Sequence, residues 1–126
     1  MIDSSLELLN AIAQAIFDKN GSNILALDVR NTSSMADYVL IAEGNVDRHV
    51  IAIGKKVVEA AKKIGSDPYM IEGEKHGDWL IIDFVDVIVH IFLSDVREIY
   101  ELEELWRDSK IVDLDIIVPN DRNENE

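Results

Sequence analysis

Apolar residues recur along this chain with two different periods, and together they predict both helices and strands. The helical period of about 3.6 residues occurs over residues 3–20 and again from Val46 to Ile64. Asn45 directly precedes the second segment, where we expect it to act as the N-cap, and Gly65 follows as its stop signal. A third, acidic helix is predicted from about Asp95 to Trp106.

Short apolar runs between turn-forming residues predict the strands. The runs are Ile24–Val29, Tyr38–Ala42, Tyr69–Ile71, Trp79–Phe84 and Val87–Leu93. Only Val85 and Asp86 separate the last two runs, which predicts an antiparallel hairpin. Residues 110–118 are a candidate for one more small strand, and residues 119–126 are expected to form a disordered acidic tail.

The order of these elements predicts the fold class. One crossover helix separates a group of two strands from a group of three, which favours a mixed sheet because a helical crossover permits parallel pairing and a short turn gives antiparallel pairing. We find no internal repeat and no linker. The sequence therefore predicts a single α/β domain over residues 1–118, with a mixed sheet of about five strands and flanking helices.

Charge and composition narrow the classes of partner. The chain has 126 residues, no cysteine and a formal net charge of −13 at pH 7. Such a charge repels nucleic acid and anionic membranes and speeds encounter with basic partners. No apolar run reaches the ~20 residues of a membrane-spanning helix, and the first residues lack the basic start of a signal peptide. We therefore expect a cytoplasmic protein that binds neither a membrane nor nucleic acid directly.

The residues that catalysis needs are not assembled in recognisable motifs. There is no glycine-rich phosphate loop and no G-x-S-x-G frame, and His49, His76 and His90 fall on three different predicted elements. We predict no catalytic residue, no metal site and no cofactor.

The alternative function is that of a magnesium-dependent nucleotidyltransferase-like enzyme. Asp83 and Asp86 bracket the hairpin turn, and Asp113 and Asp115 form a D-x-D pattern of the kind that holds magnesium on a strand. The second pair lies near the end of the sequence without a glycine-serine turn before it, which favours a solvated position.

Aromatic and acidic residues concentrate in the second half of the chain. Trp79 opens a predicted strand, and Tyr100 and Trp106 lie in the acidic helix. Amphipathic aromatic side chains beside carboxylates are typical of a surface that docks on a basic macromolecule. His90 lies within an apolar strand, and we expect an acidic or carbonyl hydrogen-bond acceptor near its ring.

Several joined segments resemble the ribosomal silencing factor family, also called Iojap-like. They are DYVLIAEG at residues 37–44, RHVxAI at 48–53, EG at 72–73, GDWLIID at 77–83, DVIVHIF at 86–92 and RExYxLExLW at 97–106. One departure concerns the hairpin, where Phe84-Val85 stands in place of the aromatic-glycine pair of relatives. A valine adopts a positive φ only at a cost, so this departure bears on the turn geometry.

The resemblance implies a fold related to the nucleotidyltransferases without their catalysis. It also implies binding to the fourteenth protein of the large ribosomal subunit, steric exclusion of the small subunit and lower translation during starvation. The residues onto which we carry the partner-binding role are Trp79, Leu80, Ile81, Asp83, His90, Tyr100 and Trp106. A homodimer of the free protein through the same apolar surface is a further expectation.

Overall fold

The computed structural model describes residues 4–32, 36–100 and 109–118, with the side chains of the last helix described as far as Arg97. The elements are α1 (Ser4–Asp18), β1 (Ser22–Asp28), β2 (Tyr38–Gly44), α2 (Asp47–Lys63), β3 (Met70–Glu72), β4 (Trp79–Asp83), β5 (Val87–Leu93), α3 (Ser94–Tyr100) and β6 (Lys110–Ile111). Their order is the predicted one. The small strand expected within residues 110–118 is β6, which adds a sixth strand to the predicted five.

In the described part of the chain the strands form one mixed sheet with the order β3-β4-β5-β2-β1-β6. The two central strands, β2 and β5, pair in parallel, and every other described pair is antiparallel. Parallel pairing at the centre follows from the connection, because the chain leaves β2 through α2 and returns to β5 only after β3 and β4. The predicted mixed α/β sheet is confirmed.

Both long helices pack on the same side of the sheet. The apolar stripes of α1 and α2 meet alternate residues of every strand from β1 to β5, including Leu40, Leu80 and Ile91, each 2% exposed or less. Buried aliphatic side chains of this kind contribute about 1.5–3 kcal/mol each relative to an exposed position. The main core therefore lies between the sheet and the two helices, and strand alternation turns the remaining strand residues to the opposite face.

The opposite face carries a smaller apolar cluster and the short helix α3. Val96 of α3 packs against this cluster, and a buried polar network holds the helix in place. Arg97 Nη1 donates to Glu43 Oε2 at 3.1 Å and to the Asn23 carbonyl at 2.6 Å, while Ser94 Oγ donates to Glu43 Oε1 at 2.7 Å. The Glu43 carboxylate thus ties α3 to the end of β2 and, through Asn23, to β1.

The beginning of α2 differs from the prediction. Val46 occupies the N-cap position without a side-chain capping bond, and Asn45 instead donates its backbone N–H to His49 Nδ1 at 2.9 Å. The other ring nitrogen of His49 bonds the Lys19 carbonyl at 2.8 Å. Since Nδ1 accepts, Nε2 carries the proton and donates to that carbonyl. One imidazole therefore joins the end of α1 to the start of α2, in place of the expected asparagine cap.

The β4–β5 hairpin forms as predicted, and its turn places Val85 at a φ of 77°. The Asp86 N–H bonds the Phe84 carbonyl at 3.0 Å, so Val85 is the central residue of the γ-turn form with positive φ, the rarer and more strained of the two. Asp83 Oδ1 accepts the Val85 N–H at 2.7 Å, which offsets part of this strain.

Two sequence predictions lie outside the described residues: the continuation of the acidic helix over residues 101–106 and the acidic tail at 119–126. The described helices include none long and apolar enough to cross a membrane.

We expect Glu43→Gln to lower the free energy of unfolding by about 3 kcal/mol, because it removes the carboxylate charge that pairs with the buried guanidinium of Arg97 at 3.1 Å. Urea unfolding measures the change. Glu59→Gln is the matched control, since it makes the same substitution in the exposed pair with Lys56 at 3.2 Å and should change stability little. Equal effects of the two substitutions would contradict the assigned role of Glu43.

We expect Val85→Gly to raise the free energy of unfolding by up to about 1 kcal/mol. Glycine removes about 1–2 kcal/mol of left-handed backbone strain from the folded state. It also raises the conformational entropy of the unfolded chain, which offsets part of this stabilisation. Thermal unfolding of the two proteins tests this, with Val85→Ala as a control that removes the β-branch and keeps the Cβ. A destabilised glycine variant would refute the strained turn.

Candidate interface on the sheet face opposite the long helices

The candidate site is the side of β3, β4 and β5 that faces away from α1 and α2, which we call the β4–β5 face. Its members are Met70, Glu72, Trp79, Ile81, Asp83, Ile88, His90 and Phe92. On β4, Leu80 and Ile82 belong to the core under the helices, so the alternate residues Trp79 and Ile81 must point to the other side.

The strand register arranges these side chains in three rows. Trp79 lies opposite Phe92 of β5, and Ile81 lies opposite His90. In the third row Asp83 lies between Met70 of β3 and Ile88 of β5. Directly opposite residues on one face of a sheet have Cβ atoms about 5 Å apart, so each row is a line of contacting side chains.

Trp79 is held in a fixed position by two neighbouring rings. Its indole N–H donates to His90 Nδ1 at 3.1 Å, and its ring centroid lies 5.0 Å from that of Phe92. The His90 and Phe92 rings are nearly parallel, at an interplanar angle of 8° and a centroid separation of 6.1 Å. Phe92 is fully buried and supports the half-buried indole from beneath. A preorganised aromatic side chain loses little entropy on binding and suits an interface anchor.

The bond from the indole fixes the protonation state of His90. Because Nδ1 accepts a hydrogen, the neutral imidazole must carry its proton on Nε2. Burial lowers the pKa of His90 to about 4, since the imidazolium would lose its hydration there. A proton on Nδ1 would also abolish the bond to Trp79, so the aromatic arrangement requires the neutral ring. The indole N–H is thus one partner of the ring, and the acidic or carbonyl acceptor expected from the sequence stays a prediction.

The loop before β4 fixes where Trp79 begins the strand. Gly73 has a φ of 91°, and a Cβ at this position would collide with the backbone carbonyl of Trp79. The Gly77 N–H closes the loop on the Gly73 carbonyl at 3.0 Å. Only glycine at position 73 allows this approach, because it combines a positive φ with direct contact to the next strand.

The charge of the β4–β5 face is negative. Strands β3, β4 and β5 contain no lysine or arginine, while Glu72 and Asp83 lie on the face itself. Asp78 is exposed directly before β4, and Asp86 is exposed directly before β5. The half-buried Trp79 and Ile81 therefore lie within an acidic border, a combination that favours a basic partner.

The structure brings together some of the predicted partner-binding residues and separates others. Trp79, Ile81 and Asp83 share the β4–β5 face and are half-buried, and His90 lies on that face with 9% exposure. Leu80 is 2% exposed and contacts the core on the other side, because neighbouring residues of a strand point in opposite directions. Its side chain is therefore not part of the β4–β5 face. The side chain of Tyr100 and all of Trp106 lie outside the described residues.

Sequence reasoning missed two contributors to this surface. Phe92 underlies the indole, although its place in an apolar strand gave no sign of that role. Met70 is 40% exposed beside Asp83, and its exposure follows from the position of β3 at the sheet edge. The alternation of Met70 with the core residue Ile71 was the signal that would have revealed it.

The two carboxylate pairs of the enzymatic alternative lie on different parts of the molecule. Asp83 lies on the β4–β5 face, whereas Asp113 and Asp115 are exposed in the segment after β6, whose apolar residues pack against the core on the helix side. The Asp115 N–H bonds Asn10 of α1 at 2.8 Å. Among the described residues no group of three or more histidine, aspartate and glutamate side chains is placed to hold a metal ion.

Comparison with known proteins identifies the family. The family model described as "Ribosomal silencing factor during starvation" matches residues 2–126. The chain belongs to the ribosomal silencing factor family. The ribosomal silencing factor of Bacillus subtilis (strain 168) is 41% identical over 108 residues, which cover 86% of this chain and 92% of that protein. The resemblance that the sequence motifs indicated is thereby confirmed.

Two further relatives extend the comparison. The mouse protein named "Mitochondrial assembly of ribosomal large subunit protein 1" is 35% identical over 101 residues, covering 78% of this silencing factor domain and 44% of the mouse chain. The crystal structure of a Chromobacterium violaceum protein superimposes with a TM-score of 0.79 at 30% identity, covering 90% of this chain and 92% of that one. The described fold is therefore one already seen in a solved structure.

The depressed pKa of His90 predicts a pH-dependent stability. The unfolded histidine, with its ordinary pKa of 6.5, takes up a proton as the pH falls, while the folded one resists until about pH 4. The free energy of unfolding should therefore decrease, by up to about 3 kcal/mol, as the pH is lowered from 6.5 to about 4. Urea unfolding across this range measures the loss.

His90→Gln should remove most of that pH dependence. His76→Gln is the matched control, because it makes the same substitution in an exposed loop and should keep the wild-type slope. A His90→Gln protein with an unchanged slope would show that the buried imidazole is not its source.

Proposed function

We propose that this silencing factor binds the large ribosomal subunit through the β4–β5 face, blocks association with the small subunit and so represses translation. The observation that carries the proposal is the fixed indole of Trp79 within an acidic border that contains no lysine or arginine on β3, β4 or β5. The names of the relatives support the ribosome as the target, since one refers to ribosomal silencing and another to assembly of the large subunit.

The partner in this proposal is the fourteenth protein of the large subunit. Ribosomal proteins are basic, and a negative face gains both faster encounter and a correct orientation on such a surface. Trp79 would act as the central anchor, since tryptophans held in place by neighbouring rings are frequent binding hot spots. Asp83 and Glu72 would form the acidic border opposite basic side chains of the partner, and Tyr100 and Trp106 remain proposed members of the interface.

The proposed mechanism is steric and non-enzymatic. A folded domain bound where the small subunit must dock prevents joining without breaking or forming any covalent bond. The required chemistry is then only affinity and placement, and it would operate in the cytoplasm, where ribosomes translate. Two free copies could pair through the same apolar residues, in which case binding to the ribosome would compete with dimerisation.

We expect Asp83→Lys to weaken binding to purified large subunits by about 2 kcal/mol or more, which is roughly a thirtyfold rise in Kd. Glu72→Lys tests the same border without touching the hydrogen bond that Asp83 makes in the turn. Co-sedimentation at moderate salt measures binding, and thermal unfolding confirms that each variant is folded.

Asp113→Lys is the matched control, since it makes the same change of charge in the segment on the helix side of the molecule. It should bind like the wild type. Wild-type protein should also reduce the fraction of joined ribosomes in a sucrose gradient, and Asp83→Lys should not. Failure of folded wild-type protein to co-sediment would refute the proposal.

A further inference from the structure

Helix α2 carries positive charge that the rest of this acidic chain lacks. It contains five basic and two acidic side chains, which give a formal charge of +3. Since the net charge of the whole chain is −13, the remaining residues carry −16. Arg48, Lys55 and Lys62 are separated by seven residues each, so they fall within about 20° of a single line along the helix. We call these three residues the α2 basic stripe. It is exposed throughout and spans roughly 21 Å.

The stability of the helix explains only part of this stripe. Lys62 lies in the last turn, where the helix dipole favours a cation. Arg48 lies in the first turn, where the same dipole disfavours one, and Lys55 lies at the middle, where the dipole has no effect. Within the described part of the chain, none of the three belongs to an ion pair. Their charges are available to an external partner.

The surface beside the stripe is concave and also basic. A shallow recess of about 290 Å³ is lined by Lys19, Ala52, Lys55, Lys56 and Glu59. Glu59 is the one acidic member, and Lys56 already neutralises it at 3.2 Å. The side-chain bond from Lys56, together with the charges of Lys56 and Lys63, lowers the pKa of Glu59. No carboxylate of a described residue forms an ion pair with Lys19 or Lys55, so the recess presents both of their ammonium groups.

We propose that the α2 basic stripe binds the phosphate backbone of ribosomal RNA when the factor is docked on the large subunit. This inference rests on the proposed function, which supplies the RNA. A line of separate cations over roughly 21 Å fits a polyanion with regularly spaced charges, and RNA duplexes are contacted mainly through phosphates and shape. The stripe and the β4–β5 face lie on opposite sides of the sheet. The docked domain would therefore have the ribosomal protein on one side and the RNA on the other.

The negative charge elsewhere on the chain does not contradict this contact. Free in solution, a protein with a net charge of −13 binds RNA at most weakly, so the proposal departs from the expectation of no direct nucleic-acid binding for the docked factor. Docking of the opposite face holds the stripe near RNA at a high effective concentration, where even a weak contact adds affinity and fixes orientation. The stripe therefore acts as a second point of attachment.

The test is the salt dependence of binding to purified large subunits. The double variant Lys55→Gln, Lys62→Gln should lower the magnitude of the slope of log K against log salt by about 1.5, for two lost phosphate contacts. The variant Lys110→Gln removes one exposed positive charge on β6, at the edge of the sheet, and should keep the wild-type slope. Equal slopes for wild type and the Lys55, Lys62 variant would overturn the inference while leaving the proposed function intact.

A photo-crosslinking amino acid in place of Ala52, within the recess, identifies the partner directly. A cross-linked product that ribonuclease degrades supports the inference, and a product containing only a second protein overturns it. If the wild type does not bind large subunits at all, the proposed function fails and a labelled A-form RNA duplex at low salt decides the inference separately. If the wild type binds the duplex and the Lys55, Lys62 variant does not, the result supports the inference. If the wild type does not bind the duplex, the result overturns the inference.

Discussion

The packing of both long helices on one side of the sheet is the constraint on which the rest of this structure depends. Since α1 and α2 cover one face, alternation along β4 sends Leu80 and Ile82 into the core and turns Trp79, Ile81 and Asp83 to the other side. The same residues would have no common surface in a sheet covered on both sides by helices. Because the helices cover only one side, β4 contributes to the core with one set of alternate residues and to the β4–β5 face with the other.

A buried hydrogen bond turns this face from an apolar surface into an ordered one. The indole of Trp79 can donate to His90 only while the imidazole is neutral, and burial keeps it neutral at physiological pH. Phe92 supports both rings. At the far side of the face, the Glu43–Arg97 pair fixes α3 against β2. Polar groups at two buried positions therefore determine the shape that an approaching partner meets.

Sequence periodicity was sufficient for the elements, the mixed sheet and the hairpin, because each depends on local patterns of apolar residues. It failed where a partner distant in sequence decides the outcome. Asn45 has the right chemistry for a cap, yet His49 reaches back to its N–H while also bonding Lys19, and no local pattern encodes that bridge. The family resemblance placed Leu80 with Trp79 in the partner-binding set, whereas the period of the strand puts the two on opposite sides of the sheet. Val85 was the exception, since the family pattern carries a glycine at this point of the turn and the valine departs from it, which indicated a strained turn before the φ of 77° was known.

Two oppositely charged surfaces on opposite sides of one sheet, the acidic β4–β5 face and the basic stripe of α2, suggest a domain attached at two points. The central claim is that the acidic, aromatic face makes the principal contact. A map of the factor on the large ribosomal subunit by electron cryomicroscopy tests this most directly. We expect the indole of Trp79 in contact with a basic protein surface on the side where the small subunit joins. A map that leaves Trp79 in solvent, with the subunit against another part of the molecule, would contradict it.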